Sequence, residues 1–343
     1  MRSPDLAAAP AGVDGAALLD ALSAIADHQL PTGEIVSCAA GADGRLAYRR
    51  SLRASIAVHE ALACFDPTSA WEETRCVRAF LAPRATSRLC LGAALIRRRI
   101  RAFLSGQELA GHLWREDGRH GEAPPDPALT AAAAAALMDD PARAADRWSL
   151  YARALDRFRG ADGLYRTPTV DQGSNPAGPP VADPVVDATV AGYLAVAGEE
   201  VATLIRSLER EIERTAAGAL PLEPACTVAR CWARAHLPGR PALAAALAPG
   251  LLARLRGAPA GAGAADTARA LLALVDLGST SPEIAPAARR MLAELPLVCG
   301  WTNGGSAAGT VICPALTRAL VMAAAARGQA LAEEVSPCTA MAS

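Results

Sequence analysis

Alanine-rich apolar segments recur along the 343-residue chain, and this repetition constrains its fold more than any other feature. Five of them start at comparable positions, separated by 57, 40, 40 and 50 residues: Asp126, Asp183, Glu223, Gly263 and Cys313. Each follows a segment that has a helical apolar period and carries Glu or Arg on one face. A helix charged on one face lies at a surface, whereas a helix that is apolar all round is packed on every side. The spacing therefore predicts about six helical hairpins, each with an outer amphipathic helix and an inner buried one.

These hairpins predict an all-α chain that closes into a ring, an (α/α)6 toroid formed by a single domain over residues 16–330. Residues 1–15 and 331–343 are expected to be a flexible N-terminal tail and a C-terminal tail. The helices of the first two hairpins are predicted at 16–30, 49–64, 88–105 and 127–138, with an extra short helix around 70–82.

Four long loops lead into inner helices, and loops of that length usually have a function: 31–48, 106–126, 160–182 and 297–313. In a closed ring, these loops and the first turns of the inner helices surround one mouth of a central cavity. The Pro- and Gly-rich stretch 167–180 is either a lid over that cavity or a simple insertion.

Composition and charge exclude several classes of protein. Apolar residues make up 52% of the chain and charged residues 20%, which favours a soluble globular protein. The formal net charge of −1 gives no reason to expect nucleic acid as a partner. We find no basic leader with a long apolar core and no apolar run of the roughly 18 residues that a membrane span needs, so a cytoplasmic location is expected. The nine cysteines, an odd number in helical sequence, indicate reduced thiols.

No metal and no cofactor are expected. The nearest set of zinc-ligand types is Cys226, Cys231 and His236. Offsets of five residues along a helix turn side chains away from a common face, so these three do not form a convincing zinc site.

Polar side chains at the starts of the inner helices are the candidate catalytic and binding groups. Three pairs are spaced by four residues and so share a helical face: Asp126 with Thr130, Asp183 with Asp187, and Glu223 with Thr227. Asp and Thr at a helix start are also ordinary caps, and Pro is common at the next position. Asp183 and Asp187 are the exception, because two carboxylates on one face repel each other and a buried one tends to stay protonated.

The turns between paired helices carry a second repeated signal. Its copies comprise Gln29, Gly33 and Ile35; Gln107, Gly111 and Trp114; Gly163 and Tyr165; and Gly300 and Trp301. Gly permits a tight turn, and the large side chain fills the gap between hairpins. These copies resemble the Gln-x-x-x-Gly-x-Trp repeat of the terpenoid cyclase and protein prenyltransferase superfamily, to which squalene–hopene cyclase belongs. The resemblance extends over most of the chain, and residues 265–278 look like an inner helix of that family.

The resemblance also implies where an acid motif would lie. Class II cyclases of the superfamily use Asp-x-Asp-Asp, whose central carboxylic acid protonates an alkene or epoxide in a dry pocket. The stretch from Asp126 to Thr130 aligns with this motif but has Ala128 and Leu129 in place of the two critical acids. With 5 Trp, 4 Tyr and 4 Phe, the chain also has few aromatic faces to support a long carbocation cascade.

The resulting hypothesis is a non-standard cyclase or isomerase, in the isomerase or lyase class of secondary metabolism, that acts on a hydrophobic, isoprenoid-like metabolite. In this hypothesis Asp183 or Asp187 donates the proton, and Glu223 and Asp126 shape its pKa. Two alternatives stay open. One is a toroid that binds a hydrophobic ligand or partner without catalysis, and the other is a carbohydrate-active toroid that uses two of these carboxylates on an aromatic sugar platform.

Substrate contacts are predicted from the long loops and from the turns. The predicted binding residues are Arg115, Arg119, Trp114, Thr130, Thr227, Tyr165 and Trp301. Arg115 and Arg119 would orient a polar head through bidentate contacts, although a solvent-exposed turn is the simpler interpretation. His59 and Glu60 are either an acid and base pair or, for the histidine, a core residue.

The arginine-rich stretch 95–104 has two interpretations. Arg97 and Arg101 share one helical face, with Arg98 beside them, which would suit an anion clamp. A solvated face of an outer helix is the simpler expectation.

Overall fold

The computed structural model describes residues 15–40, 45–66, 83–139, 141–167, 183–214, 222–234, 240–257, 264–295 and 311–340. Within them the chain forms twelve α-helices: α1 (Gly15–Asp27), α2 (Leu52–Ala61), α3 (Pro83–Gly106), α4 (Pro127–Met138), α5 (Pro141–Leu155), α6 (Pro184–Val196), α7 (Ala202–Arg214), α8 (Leu222–Arg234), α9 (Arg240–Gly257), α10 (Ala264–Asp276), α11 (Ile284–Glu294) and α12 (Pro314–Ala340). Two 3-10 turns extend α2 and α5, over Leu62–Phe65 and Asp156–Phe158.

The even-numbered helices pack against one another in sequence order. Contacts join α2 to α4, α4 to α6, α6 to α8, α8 to α10 and α10 to α12, and α12 returns to contact α2. The odd-numbered helices pack against these, with α5 on α4, α7 on α6, α9 on α8 and α10, and α11 on α10 and α12. The model is therefore a mostly helical structure whose alternate helices contact each other in a cycle.

Sequence composition explains which helices are inner and which are outer. Helix α4 is mostly alanine and is buried along nearly its whole length, from Pro127 to Met138. Helix α7 buries Leu204, Ile205 and Leu208 and exposes Arg206 and Glu209 on the opposite face. Small side chains allow inner helices to be surrounded closely, whereas an amphipathic helix covers the core with one face only.

Three short strands form a sheet that the all-α prediction does not contain. Strands β1 (Cys38–Ala40), β2 (Leu46–Tyr48) and β3 (Val311–Ile312) pair in the order β2-β1-β3, with both pairs antiparallel. Cys38 lies opposite Tyr48 on one side and opposite Ile312 on the other. Strands of two or three residues show no alternating pattern, so the sequence gives no sign of them. The sheet joins the first long loop to the residues just before α12.

A buried ion-pair cluster replaces the solvated face that is expected around Arg97. The Arg97 side chain is fully buried, and its guanidinium lies between Asp66 at 2.5 Å and Asp139, both also fully buried. Its Nε atom donates to the carbonyl oxygen of His59 at 3.0 Å. The cluster ties α3 to the ends of α2 and α4. Arg98, by contrast, is exposed as expected.

One predicted boundary differs from the structure, and two predicted segments lie wholly or mostly beyond the described residues. Helix α12 continues to Ala340, past residue 330 where the toroid domain is predicted to give way to a tail. The expected short helix at 70–82 and most of the candidate lid lie outside the described residues. Within the part of the chain that the structure describes, none of the helices has both the length and the apolar character for crossing a bilayer.

Candidate functional site in the central cavity

All six even-numbered helices contribute side chains to one cavity of about 180 Å³. Its apolar lining consists of Ile56, Ala57, Ala128, Leu129, Ala132, Val185, Leu316 and Leu320. Its polar lining consists of Arg53, Glu60, Thr189, Cys226, Thr227, Arg230, Cys231 and Arg269. Every one of these residues lies within the first ten positions of its helix. In α4, α6, α10 and α12 these residues lie in the N-terminal half of the helix, whereas α2 lines the cavity along most of its length and α8 lines it from Cys226 to Cys231.

An ion pair spans the deeper part of this cavity. Nη1 of Arg230 on α8 lies 2.6 Å from Oε2 of Glu60 on α2. These two helices are three positions apart in the cycle of six, whichever way it is followed. Glu60 and Arg230 are also among the lining residues farthest from the start of their helices, so the pair lies away from the N-terminal mouth.

The mouth carries a second charged cluster. Arg53 Nη2 donates to Oδ2 of Asp126 at 2.6 Å, and its Nε lies 3.2 Å from Oε2 of Glu116. The hydroxyl of Ser51 donates to the other oxygen of Glu116 at 2.5 Å. Burial raises the pKa of Glu116, while Ser51 and Arg53 act in the opposite direction. The loop 106–126 is thereby attached to the starts of α2 and α4.

Asp126 and Asp183 cap the helices that follow them. Asp126 Oδ1 accepts from the N–H of Leu129 at 2.7 Å, and Asp183 Oδ1 accepts from the N–H of Val185 at 2.8 Å. Both precede a Pro at the first helical position, which is the arrangement expected of N-caps. Asp126 is also paired with Arg53 at the mouth, whereas Asp183 is exposed.

Ser51 caps α2 in the same way, and in α2, α4 and α6 the residue four positions after the cap accepts a backbone N–H from the preceding turn. Ser55 Oγ accepts from Ile35 at 3.1 Å, Thr130 Oγ1 accepts from Trp114 at 3.2 Å, and Asp187 Oδ1 accepts from Tyr165 at 3.0 Å. Ile35, Trp114 and Tyr165 are the large residues of the repeated turns, and all three are buried. The four-residue spacing therefore has a structural origin, because it places an acceptor where each turn needs one.

This repeated contact separates Asp187 from the cavity lining. Helix α6 lines the cavity with Val185 and Thr189, and a residue halfway between them projects from the opposite face. Asp187 is 2% exposed, and burial raises its pKa to about 6. The nearby carboxylates of Asp162 and Asp183 add to this rise, while the N–H of Tyr165 opposes it. Burial is thus a larger cause of the raised pKa than repulsion from Asp183.

The predicted binding residues fall into several places. Thr227 lines the cavity, while Trp114, Thr130 and Tyr165 are buried in the turn contacts. Trp114 also donates from Nε1 to the carbonyl oxygen of Leu104 at 2.9 Å. Glu223 lies in the first turn of α8, in a stretch whose side chains are outside the description, and Trp301 is outside the described residues altogether.

The two loop arginines are held differently. Arg115 donates from Nη1 to the carbonyl oxygen of Gly121 within its own loop. Arg119 is exposed, and its backbone N–H donates to Oε1 of Gln107 at 2.9 Å. Of the three zinc-ligand types noted above, Cys226 and Cys231 line the cavity, and His236 is outside the described residues.

Sequence reasoning misses three charged cavity residues: Arg53, Arg230 and Arg269. Arg230 and Arg269 each belong to a predominantly apolar inner helix, and Arg230 lies three positions after Thr227. Thr227 and Arg230 are spaced by three residues, so the sequence alone places them on the same face of α8. The sequence does not predict that Arg230 pairs with Glu60, which is 170 positions away.

Comparison with known proteins gives matches to solved structures. No protein-family model matches the chain, and no curated protein matches its sequence. A protein from Actinoplanes has a TM-score of 0.59 at 19% identity, with 92% of this chain and 99% of that chain covered. A variant of the type II terpene cyclase MstE from Scytonema, in complex with its substrate geranylgeranyl dihydroxybenzoate, has a TM-score of 0.60 at 13% identity, with 92% and 98% covered. The apo form of MstE has a TM-score of 0.60 at 12% identity, with 92% and 99% covered. The chain therefore has a terpene-cyclase-like fold.

Proposed function

We propose that this chain is an (α/α)6 toroid whose central cavity takes up a hydrophobic, isoprenoid-like metabolite and promotes its cyclisation or isomerisation. The observation that carries the proposal is that all six inner helices contribute side chains to one cavity. The terpene-cyclase-like fold supports the choice of a cyclase-like enzyme, since the solved neighbours include a terpene cyclase with its substrate bound. Adding a proton at one alkene carbon and removing one at another leaves the composition unchanged, so the reaction needs no co-reactant.

The group that exchanges the proton is Glu60 in this proposal: separated from Arg230, it takes up a proton from solvent, donates it to one alkene carbon and, as the carboxylate, accepts the proton that leaves another. It is the carboxylate among the described residues that line the cavity, and Arg230 fixes its position. Ala128 and Leu129 line the cavity where the acid motif of class II cyclases has its two acids, so α4 supplies apolar contact there. Asp187 keeps a raised pKa of about 6, which suits a proton donor, but its contact with Tyr165 favours a role in positioning the turn.

The shape and lining favour a small substrate. Among the described residues, the cavity lining contains aliphatic and polar side chains and no aromatic ring. A long carbocation cascade and a sugar-binding platform both depend on aromatic faces, so neither is supported. A single cyclisation or double-bond shift fits this lining better.

Ligand binding without turnover is the second candidate function. The replacement of both motif acids by Ala128 and Leu129, at positions that face the cavity, is the observation that favours it. In that case Glu60 and Arg230 would serve binding only.

The test uses the full chain and a panel of acyclic isoprenoid alcohols, acids and diphosphates of ten to twenty carbons. Thermal unfolding reports binding, because a ligand that binds the folded state raises its apparent stability. Gas chromatography with mass spectrometry then reports products that have the mass of the substrate. Catalysis predicts such products with the wild type and their loss in Glu60→Gln, with Asp183→Asn unchanged.

Cavity-filling variants identify the site. Ala57→Leu and Ala132→Leu each replace a methyl group of the cavity lining by an isobutyl group, and we expect both to abolish ligand-induced stabilisation. Ala245→Leu, on an exposed position of α9, is the matched control and should respond to ligand as the wild type does. Stabilisation that survives both cavity variants would contradict the proposal, and stabilisation without any product would favour the second candidate.

A further inference from the structure

Helix α3 has two stripes of residues on opposite sides, and the described residues cover one of them. The helix packs against α1, α2 and α4. Its buried stripe consists of Leu89, Ala93, Ile96, Ile100 and Phe103. Its exposed stripe consists of Arg88, Leu91, Leu95, Arg98 and Ala102. Both stripes alternate steps of three and four residues, which is the spacing at which one helix packs along another. The exposed stripe therefore has the pattern of a helix-packing surface.

Two leucines form the apolar centre of the exposed stripe. Leu91 and Leu95 are 63% and 51% exposed and lie one helical turn apart. The other large apolar side chains of comparable exposure, among the described residues, are Leu46 and Tyr48 on the short strand β2. A single exposed leucine is ordinary on a protein surface. Two adjacent ones at the centre of a helix-packing pattern have apolar area to lose to a partner.

Arginines lie at both ends of the leucine pair. Arg88 precedes Leu91 by three residues, and Arg98 follows Leu95 by three. Both arginines are exposed, and neither forms an ion pair with another residue of the described part of the chain. The exposed stripe is thus apolar in the middle and positive at each end. The surface that complements it has leucines between acidic residues, because opposite charges beside an apolar helix contact select the partner.

This distribution of charge argues against two other occupants. A second copy of the chain would pack α3 on α3. Antiparallel packing would then place Arg88 opposite Arg98, and parallel packing would place each arginine opposite itself, so like charges would meet in both cases. A membrane surface favours a helix with a broad apolar face. Here the apolar part is one pair of leucines between two arginines, which suits a contact with a single helix.

We infer that the exposed stripe of α3 docks an acidic amphipathic helix of a partner protein. Leu91 and Leu95 pack between the apolar residues of that helix, and Arg88 and Arg98 pair with its carboxylates. Helix α3 contributes none of the described residues that line the cavity. The docking surface is therefore separate from the proposed function of the cavity, and it holds whether the cavity serves catalysis or binding alone.

Synthetic helical peptides test this docking surface by fluorescence anisotropy with the full chain at low salt. The probe is a hydrocarbon-stapled helix of about 20 residues that carries Glu, Leu, Leu and Glu at steps of three, four and three residues. One control peptide has Ser in place of both Leu, and a second has Lys in place of both Glu. We expect the probe to bind with a Kd below about 1 mM, at least about tenfold more tightly than either control.

Variants of the exposed stripe give the sharpest comparison. Leu91→Ser and Leu95→Ser should each weaken binding of the probe by roughly fivefold, because the exposed half of each side chain is what the peptide buries. Arg98→Glu should weaken binding of the probe and strengthen binding of the lysine peptide, since it reverses the sign of one end. Arg206→Glu, at an exposed position of α7, changes the net charge equally and should alter neither. Unfolding midpoints establish that all variants are folded.

Several outcomes would overturn the docking of an acidic helix. One is a probe that does not bind at about 1 mM, and another is equal affinity for all three peptides. A third is probe binding that Leu91→Ser, Leu95→Ser and Arg98→Glu leave unchanged. If the wild type ignores the probe but floats with vesicles of phosphatidylcholine and phosphatidylserine, the exposed stripe belongs to a membrane surface. If it ignores the probe but forms dimers that Leu91→Ser dissociates, the stripe belongs to a second copy.

Discussion

Replacing Asp187 by Asn should stabilise the protein at neutral pH and remove a specific pH dependence. The Asp187 carboxyl group is buried and accepts the backbone N–H of Tyr165 at 3.0 Å. Asparagine has nearly the same shape and keeps an oxygen for that N–H, so the turn contact survives. What the substitution removes is the ionisation of a buried group.

The magnitude follows from the pKa. Burial raises the pKa of Asp187 from 3.8 to about 6, a change of roughly two pH units, and each unit corresponds to about 1.4 kcal/mol. Below pH 3.8 the group is protonated in both the folded and the unfolded chain and costs nothing. Between about pH 4 and pH 6 the folded state binds more protons than the unfolded state, so stability falls as the pH rises. Above pH 6 the full cost applies, up to about 3 kcal/mol.

Urea unfolding of wild type and Asp187→Asn at intervals from pH 4 to pH 8 measures this directly. The stability difference in favour of the variant should be small at pH 4, grow through pH 6 and then stay constant. Asp183→Asn, at the exposed cap of the same helix, should show no such growing difference. A difference that does not change with pH, or a variant less stable than the wild type at pH 7.5, would refute the reasoning. If Asp187→Asn were more stable than the wild type but lost turnover, Asp187 and not Glu60 would be the proton donor.

Two further substitutions test the core. Arg97→Met should destabilise the fold by about 3–5 kcal/mol in urea unfolding, because it leaves the buried carboxylates of Asp66 and Asp139 without their cation, whereas the exposed Arg98→Met should change it little. If Arg97→Met unfolded at the same urea concentration as the wild type, the buried ion-pair cluster would be contradicted. Gly33→Ala should unfold at a markedly lower temperature in calorimetry, since Gly33 has a φ of 96° and an added Cβ would lie 2.1 Å from a carbonyl oxygen of α3. An unchanged Tm would show that this turn does not pack against α3 as described.

The repeat architecture was accessible from the sequence because it rests on periodicity and composition. Alanine-rich segments predicted inner helices, and the starts of α4 and α6 fall one residue after Asp126 and Asp183. Short strands and long-range pairings escaped prediction. The sheet depends on a few residues without alternation, and the burial of Arg97 depends on Asp66 and Asp139 arriving from other helices. Local sequence cannot report such partners.

The candidate site also combines a part that the sequence predicts and a part that it does not. The sequence predicted functional side chains at the starts of the inner helices, and one of them, Thr227, lines the cavity. The spacing of Asp183 and Asp187 suggested shared chemistry, yet the same spacing recurs as a cap followed by an acceptor for the preceding turn. A four-residue spacing identifies a helical face without saying whether that face meets a cavity or a neighbouring turn. Glu60 and Arg230, which meet across the cavity, are far apart in the chain.

The position of α12 has a consequence for how this protein is made. Helix α12 contacts α1 and α2 as well as α10 and α11, and β3 just before it pairs with β1. Part of the apolar surface of α1 and α2 is therefore covered by residues more than 250 positions downstream, which are synthesised much later. Until then the first repeat of the growing chain lacks its contacts with α12 and can pack only against α3 and α4 of the described helices. The contacts of α12 with α1 and α2 therefore form late, after α12 itself has been synthesised, and they close the cycle of inner helices.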